Sequence, residues 1–491
     1  MNGRAPSCAF VIFGVTGDLS ARKLLPAIYR LHLAGVLAAD TAVVGFARSN
    51  LTDDALRSEL REAVRTSVPE FDETAWETLA PRISYQRGRY DDHASYAELA
   101  ATLERGSQPG RVFYTATPPA TYAQIAKGLA GAGLNREPAG GFARLVIEKP
   151  FGHDLDSAKA LNGDLLSFFK ERQLFRIDHY LAKETAQNLA VLRFANAIFE
   201  PLWNNSYLDH VQITMAESIG IEGRGSFYEG AGVLRDVFQN HLLQLMALVA
   251  MEPPARFDQD AVRDEKVKLL RSVACPRPED VVLGQYTAGG GHVGYREEAA
   301  VDPTSTEATF AAMVLEVKNW RLNGVPFYLR SGKRLEAKSS EIVLQFRNPP
   351  HMPFDLKAPP NPDRLILRLV PDEGIVLRFN GKKPGQGIDL DRIDLGFSYE
   401  ESFDGPNPDA YETLLMDVMT GDATLFMRAD EVEAQWGILE PILRWAAANR
   451  PTPHFYPAGS AGPKAAFELL AGSGRRWFRP SGVAAPESNG H

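Results

Sequence analysis

Short apolar runs alternate with amphipathic stretches through the first third of the chain. The runs at 10–13, 42–46, 111–116 and 143–147 have the length of buried strands. Helical spacing of apolar residues fills 19–37, 53–66, 95–104, 119–132 and 155–170. This alternation predicts a parallel sheet with helices on both faces. The pattern changes near 176–180. Residues 182–199 and 233–251 read as helices, but between and after them come strand-like runs at 207–216, 307–318, 325–330, 340–347, 363–370 and 374–379 with no intervening helix. Consecutive strands of this kind predict an antiparallel sheet, with two late helices, about 409–419 and 430–447, covering one side.

A chain of 491 residues exceeds one core, so two domains are expected. The break is placed at 177/178, giving a nucleotide domain over 1–177, a sheet domain over 178–485 and a loose tail at 486–491. An active-site cleft is expected where the pattern changes. The 44% apolar and 23% charged content is that of a soluble globular protein, and no uncharged apolar run has the length of a membrane span. The N-terminus lacks the continuous apolar segment of a secretory signal. Two cysteines, Cys8 and Cys275, imply no disulfide framework and no cysteine-rich metal site, and fit a reducing cytoplasm. A net charge of −9 argues against nucleic-acid binding but leaves room for a small anionic ligand met by local basic residues.

The candidate chemistry begins at Gly14-Val15-Thr16-Gly17-Asp18-Leu19-Ser20-Ala21-Arg22-Lys23, between the first apolar run and the first helical stretch. Strand, glycines and helix in that order aim backbone N–H groups and the positive helix end at a phosphate. Glycine turns also join ordinary strands to helices, and the G-x-x-G-D-L spacing departs from G-x-G-x-x-G. Arg48 ends the second apolar run, where an arginine can meet a 2′-phosphate; the residue type alone reads better as a solvated loop arginine, and the glycine turn upstream shifts the reading to NADP. Glu148-Lys149-Pro150 follows another run, so Lys149 emerges at a carboxyl-terminal strand end, or is simply a surface lysine. In Asp178-His179-Tyr180-Leu181-Ala182-Lys183-Glu184, a helix starting near His179 would set His179 and Lys183 on one face, suited to a phosphate dianion. The same segment fits a helix start capped by Asp178. His241 lies on the helix opened by Arg235-Asp236; it is a structural histidine or, beside Asp178, half of a histidine–carboxylate dyad. Lys333 and Lys338 sit in a basic loop, either solubilising or ligand-binding.

Together these segments resemble glucose-6-phosphate dehydrogenase. The resemblance spans roughly residues 8–450 and rests on Gly14–Lys23, Tyr90-Asp91-Asp92, Glu148–Gly152, Arg176–Glu184, Glu222-Gly223-Arg224-Gly225, Arg235–Leu243 and Arg330–Lys338 in order. Ala182 departs from it, since the family usually carries Gly in D-H-Y-L-G-K-E. The resemblance implies an α/β Rossmann-like coenzyme domain followed by an α+β domain with a large, mainly antiparallel sheet. It implies a cytoplasmic homodimer or homotetramer. The implied reaction oxidises β-D-glucose 6-phosphate to 6-phosphoglucono-1,5-lactone with reduction of NADP, the first oxidative step of the pentose phosphate pathway. NAD is a possible second coenzyme, and no metal is required. His241 would be the base and Asp178 its orienting partner. His179 and Lys183 would bind phosphate, with Glu217, Asp236, Lys333 and Lys338 positioning sugar and phosphate. Lys149 would lie between substrate and coenzyme. Gly14, Thr16, Gly17, Asp18, Leu19, Lys23, Arg48, Tyr90 and Asp91 would serve the coenzyme. The competing expectations are a dehydrogenase of another sugar phosphate and a non-catalytic NADP-binding regulator.

Overall fold

The computed structural model describes residues 4–356, 359–403 and 409–479, so the expected tail at 486–491 lies outside the described residues. The chain divides into two compact units: Met1–Gln187, Met251–Arg271 and Pro406–Gly437 form one, and Asn188–Ala250, Ser272–Gly405 and Ile438–His491 the other. The single break expected at 177/178 therefore needs correction. Residues 178–187 stay with the first unit, and two later segments return to it.

The first unit is built on β1 (Cys8–Phe13), β2 (Ala42–Ala47), β3 (Ile83–Arg87), β4 (Gly110–Thr115), β5 (Phe142–Ile147) and β6 (Leu174–Ile177). They form a parallel sheet in the order β3-β2-β1-β4-β5-β6, with Phe426–Met427 added antiparallel at the β6 edge. Every residue of β1 is buried, as an apolar strand covered on both faces must be. The strand order reverses between β1 and β4, and ligands of such sheets bind at the carboxyl ends beside that reversal.

The helix Ala410–Thr420, expected over the antiparallel sheet, instead belongs to this unit. Its Tyr411, Leu414, Leu415 and Val418 enter the same core as Leu25 and Ile28. Helical periodicity reveals an apolar face but not what covers it, which is why the sequence placed this helix wrongly.

The second unit carries β7 (Leu208–Ala216), β8 (Val281–Thr287), β9 (Phe310–Glu316), β10 (Pro326–Gly332), β11 (Ser339–Phe346), β12 (Arg364–Val370), β13 (Gly374–Lys382) and β14 (Leu390–Ser398). The sheet runs β14-β13-β12-β11-β7-β10-β9-β8, closed at the β8 edge by His454–Pro457. Among the described residues, the β7–β10 pair and the outermost pair at His454–Pro457 are the parallel ones. The rest pair antiparallel, as expected of strands without crossover helices.

Candidate active site

In the first unit, the chain leaves β1 through a turn made by two glycines. The Gly14 N–H donates to the Phe46 carbonyl at 2.8 Å, and the Gly17 N–H to the Gly14 carbonyl at 2.9 Å. Gly14 has φ +80°, and a Cβ there would lie 2.3 Å from the Ala116 carbonyl oxygen at the end of β4. No side chain fits this cradle, which leaves backbone space for a phosphate. The Ser20 hydroxyl donates back to the Gly14 carbonyl at 3.2 Å, tying the following helical turn to the loop. Thr16 and Asp18 are exposed, and Asp18 pairs with Arg22 at 2.7 Å. A Gly14→Ala variant should lose about 2–3 kcal/mol of stability from left-handed strain and the backbone clash. Thermal melting and coenzyme titration check this, and weakened coenzyme binding should accompany the lower Tm.

Arg48 stands exposed just past β2, and Tyr90 and Asp91 follow β3. The Tyr90 ring stacks on Phe46, 6.1 Å between centroids. Asp91 is held by both arms of Arg89 at 3.0 Å, which keeps its carboxyl below the usual range. Lys23 donates to Asp409 at 3.0 Å, a partner contributed by the late helix and not legible in the sequence. Beyond β5, the Lys149–Pro150 peptide is cis. Glu148 accepts hydrogen bonds from the Tyr114 hydroxyl at 2.5 Å and the Tyr411 hydroxyl at 3.3 Å. Burial pushes the Glu148 carboxyl upward, against these two hydrogen bonds. The Trp436 indole N–H donates to the Phe151 carbonyl at 2.8 Å and fixes the far side of the turn.

Past β6, the expected helix start near His179 is replaced by turns. The helix begins at Glu184. Asp178 is 1% exposed, and its Oδ1 accepts the Tyr180 N–H at 3.0 Å, so it caps a turn rather than a helix. The Leu181 N–H then bonds the Asp178 carbonyl and the Lys183 N–H the Tyr180 carbonyl, at 3.1 and 3.3 Å. His179 and Lys183 are half-buried on this double turn, each beside the Tyr180 ring, so one ring packs with both. Ala182 is buried and is not among the positive-φ residues, so its methyl replaces the family glycine without backbone strain.

In the second unit, His241 and Asp236 lie on Leu234–Leu242, whose backbone bonds in the wider π pattern before continuing as the α-helix Leu243–Ala250. Asn240 explains the widening. Its side-chain amide donates to the Arg235 and Asp236 carbonyls at 3.4 and 3.1 Å, and its Oδ1 accepts the His241 N–H at 2.6 Å. Side-chain competition for backbone groups opens the turn. His241 is buried at 3% exposure.

Lys333 follows β10 and is also buried. Its ammonium lies 2.6 Å from Glu217 and 3.8 Å from Asp236, above the Tyr228 ring at 5.3 Å. Burial, with Asp236 and Glu217 nearby, raises the Tyr228 hydroxyl well above its ordinary value and keeps it protonated. The structure thus gathers Glu217, Asp236 and Lys333 into one polar cluster. Lys338 is separate: it is exposed and lines a cavity of about 260 Å³ with Arg330, Glu341, Arg368 and Arg479.

Two family models divide the chain between them: "Glucose-6-phosphate dehydrogenase, NAD binding domain" matches residues 11–188, and the C-terminal domain of the same family matches 190–478. The chain belongs to the glucose-6-phosphate dehydrogenase family. Curated members include glucose-6-phosphate 1-dehydrogenase of Aggregatibacter actinomycetemcomitans, 45% identical over 98% of this chain and 99% of that protein. The Mycolicibacterium smegmatis member is 46% identical over 96% and 99%. A solved glucose-6-phosphate dehydrogenase in complex with its substrate glucose 6-phosphate superposes with a TM-score of 0.91 at 35% identity, covering 98% of this chain and all of the other. The Mycobacterium avium structure gives 0.85 at 36% identity, covering 97% and 99%. Membership in the glucose-6-phosphate dehydrogenase family fixes the enzyme class as oxidoreductase and the fold as a Rossmann-like domain joined to a largely antiparallel one.

Proposed function

We propose that this chain oxidises β-D-glucose 6-phosphate at C1, giving 6-phosphoglucono-1,5-lactone and NADPH. The observation that carries the reading is the end-to-end match to a dehydrogenase solved with that sugar phosphate, in a chain keeping Asp178, His179, Lys183 and His241. The glycine cradle at Gly14 fits a dinucleotide, because the position has no room for a Cβ and leaves the turn's backbone free to approach the phosphates. When bound, the nicotinamide ring supplies the hydride acceptor.

The protein supplies the proton and orientation chemistry. His241 takes the proton from the C1 hydroxyl as the C–H bond breaks, since an alcohol does not readily give up hydride while it keeps that proton. Asp178 orients the imidazole and stabilises its protonated form. His179 and Lys183 hold the phosphate, which fixes C1 at a distance and turns remote binding into rate. Glu217 and Asp236 accept sugar hydroxyls, anchored by Lys333; Lys338, in its separate cavity, takes no part in this reading. Lys149 and Lys23 flank the meeting point of sugar and coenzyme. Thr16, Gly17, Asp18 and Leu19 line the pyrophosphate turn, and Tyr90 and Asp91 the adenosine end. A homodimeric or homotetrameric cytoplasmic enzyme is the accompanying proposal; no helix among the described residues is long and apolar enough to cross a membrane.

Two steady-state experiments test this reading. Glucose 6-phosphate should be oxidised rapidly and unphosphorylated glucose poorly; equal rates would remove the phosphate roles of His179 and Lys183. An Arg48→Ala variant should raise KM for NADP⁺ by about ten- to a hundredfold, the worth of a charge-assisted phosphate contact. KM for NAD⁺ should move far less, and equal weakening of both would remove the role of Arg48.

A further inference from the structure

Beyond β3 the first unit carries a second arginine that the coenzyme reading leaves unused. Arg87 is the last residue of β3 and pairs in register with Ala47, the residue before Arg48. It is exposed, as Arg48 is. Its Nε donates to the Arg48 carbonyl oxygen at 3.4 Å, so its guanidinium sits against the turn that carries Arg48.

Tyr85, two residues earlier and on the same face of β3, grips the same turn. Its hydroxyl lies 3.0 Å from the Ala47 carbonyl and 2.6 Å from the Ser49 carbonyl. Two successive same-face side chains of β3 therefore bond three consecutive carbonyls of the β2 exit. Neither Arg48 nor Arg87 has a carboxylate ion-pair partner among the described residues. The third arginine nearby, Arg89, is already matched by Asp91. Asp91 also feels the Arg48 charge, but its hydrogen bonds go to Arg89, so the two cationic side chains on neighbouring strand ends offer a position for a further anion.

We propose that Arg87 is a second 2′-phosphate-binding residue, forming with Arg48 a two-arginine clamp on the coenzyme while Tyr85 holds the backbone of the clamp in place. The proposal rests on the reading of Arg48 as the 2′-phosphate contact. Two forked guanidiniums can together meet more of the phosphate oxygens than one can, which sharpens the preference for NADP⁺ over NAD⁺.

The test compares Arg87→Gln, Arg87→Lys and Arg48→Ala in the full-length enzyme, with KM measured for NADP⁺ and for NAD⁺. Glutamine keeps a donor for the Arg48 carbonyl and removes the charge. Arg87→Gln should raise KM for NADP⁺ by about five- to twentyfold, with KM for NAD⁺ and kcat within about twofold. Arg87→Lys should fall between wild type and the glutamine variant. An Arg87→Gln enzyme with unchanged KM for NADP⁺, or with equal loss for both coenzymes, overturns the clamp. If Arg48→Ala is selective and Arg87→Gln is not, the clamp fails alone and the Arg48 reading survives. If neither variant separates the coenzymes, the reading of the whole β2 exit fails with it.

Discussion

Replacing His241 with asparagine lowers kcat by about three orders of magnitude while KM for glucose 6-phosphate changes by less than about threefold. The size follows from the role, since a positioned general base contributes on the order of 10²–10⁴ in rate. Asparagine is polar and similar in reach, but its amide takes no proton near neutral pH. The substitution should leave the fold intact, because the wide turn is set by Asn240 and by backbone bonding rather than by the imidazole. The proposed phosphate ligands, His179 and Lys183, lie on another segment, the double turn after β6, so binding should persist. A circular-dichroism melt and steady-state kinetics on the same preparation separate the outcomes. A variant with near-normal kcat would show that His241 is a structural histidine.

Changing Lys333 to methionine should produce the largest combined loss of stability and activity. The ammonium is buried at 2% exposure, between Glu217 at 2.6 Å and Asp236 at 3.8 Å. Removing it takes away the ammonium that lies between the two carboxylates. Breaking a buried pair costs about 3–5 kcal/mol, but Glu217 is 36% exposed and water screens part of that penalty, so about 2 kcal/mol is expected. On the proposed reading of Glu217 and Asp236 as sugar-binding groups, the carboxylates would also lose the cation that positions them. kcat/KM for glucose 6-phosphate should fall about a hundredfold, while coenzyme affinity changes little. Urea unfolding and substrate kinetics check the two parts. Full stability together with a normal KM would reduce Lys333 to a spectator.

The sequence is most informative where one local rule governs a segment. Phe10-Val11-Ile12-Phe13 is apolar because both faces of β1 are covered, and the glycines after it are required by a turn with no room for Cβ. β3 is harder to read because Ile83-Ser84-Tyr85-Gln86-Arg87 is a polar edge strand. β14 is missed for a related reason: it is also an edge strand, and its residues are mostly exposed. The helix Gln259–Leu270 hides behind its charges, although its Lys266 is buried and paired with Glu431 at 2.6 Å.

At the candidate site, residue types are legible but local geometry is not. Spacing alone cannot distinguish the Asp178 turn from a helix start, because Asp caps both. Apolar periodicity over 233–251 predicts a helix but not the π turn, which depends on where one asparagine side chain goes. Lys333 and Lys338 look alike in one basic loop, yet one is buried between carboxylates and the other faces a separate cavity. The partners of Glu148 and Lys23, Tyr411 and Asp409, come from a helix far along the chain that no local pattern connects to them.

Hydride transfer from C1 is the central claim, and isotopic transfer tests it most directly. Glucose 6-phosphate deuterated at C1 is incubated with the enzyme and NADP⁺, and the recovered NADPH is examined by mass spectrometry and NMR. The account predicts one deuterium at C4 of the reduced nicotinamide for each lactone formed, with none lost to water. NADPH without the label, or sugar turnover that leaves NADP⁺ oxidised, would contradict it.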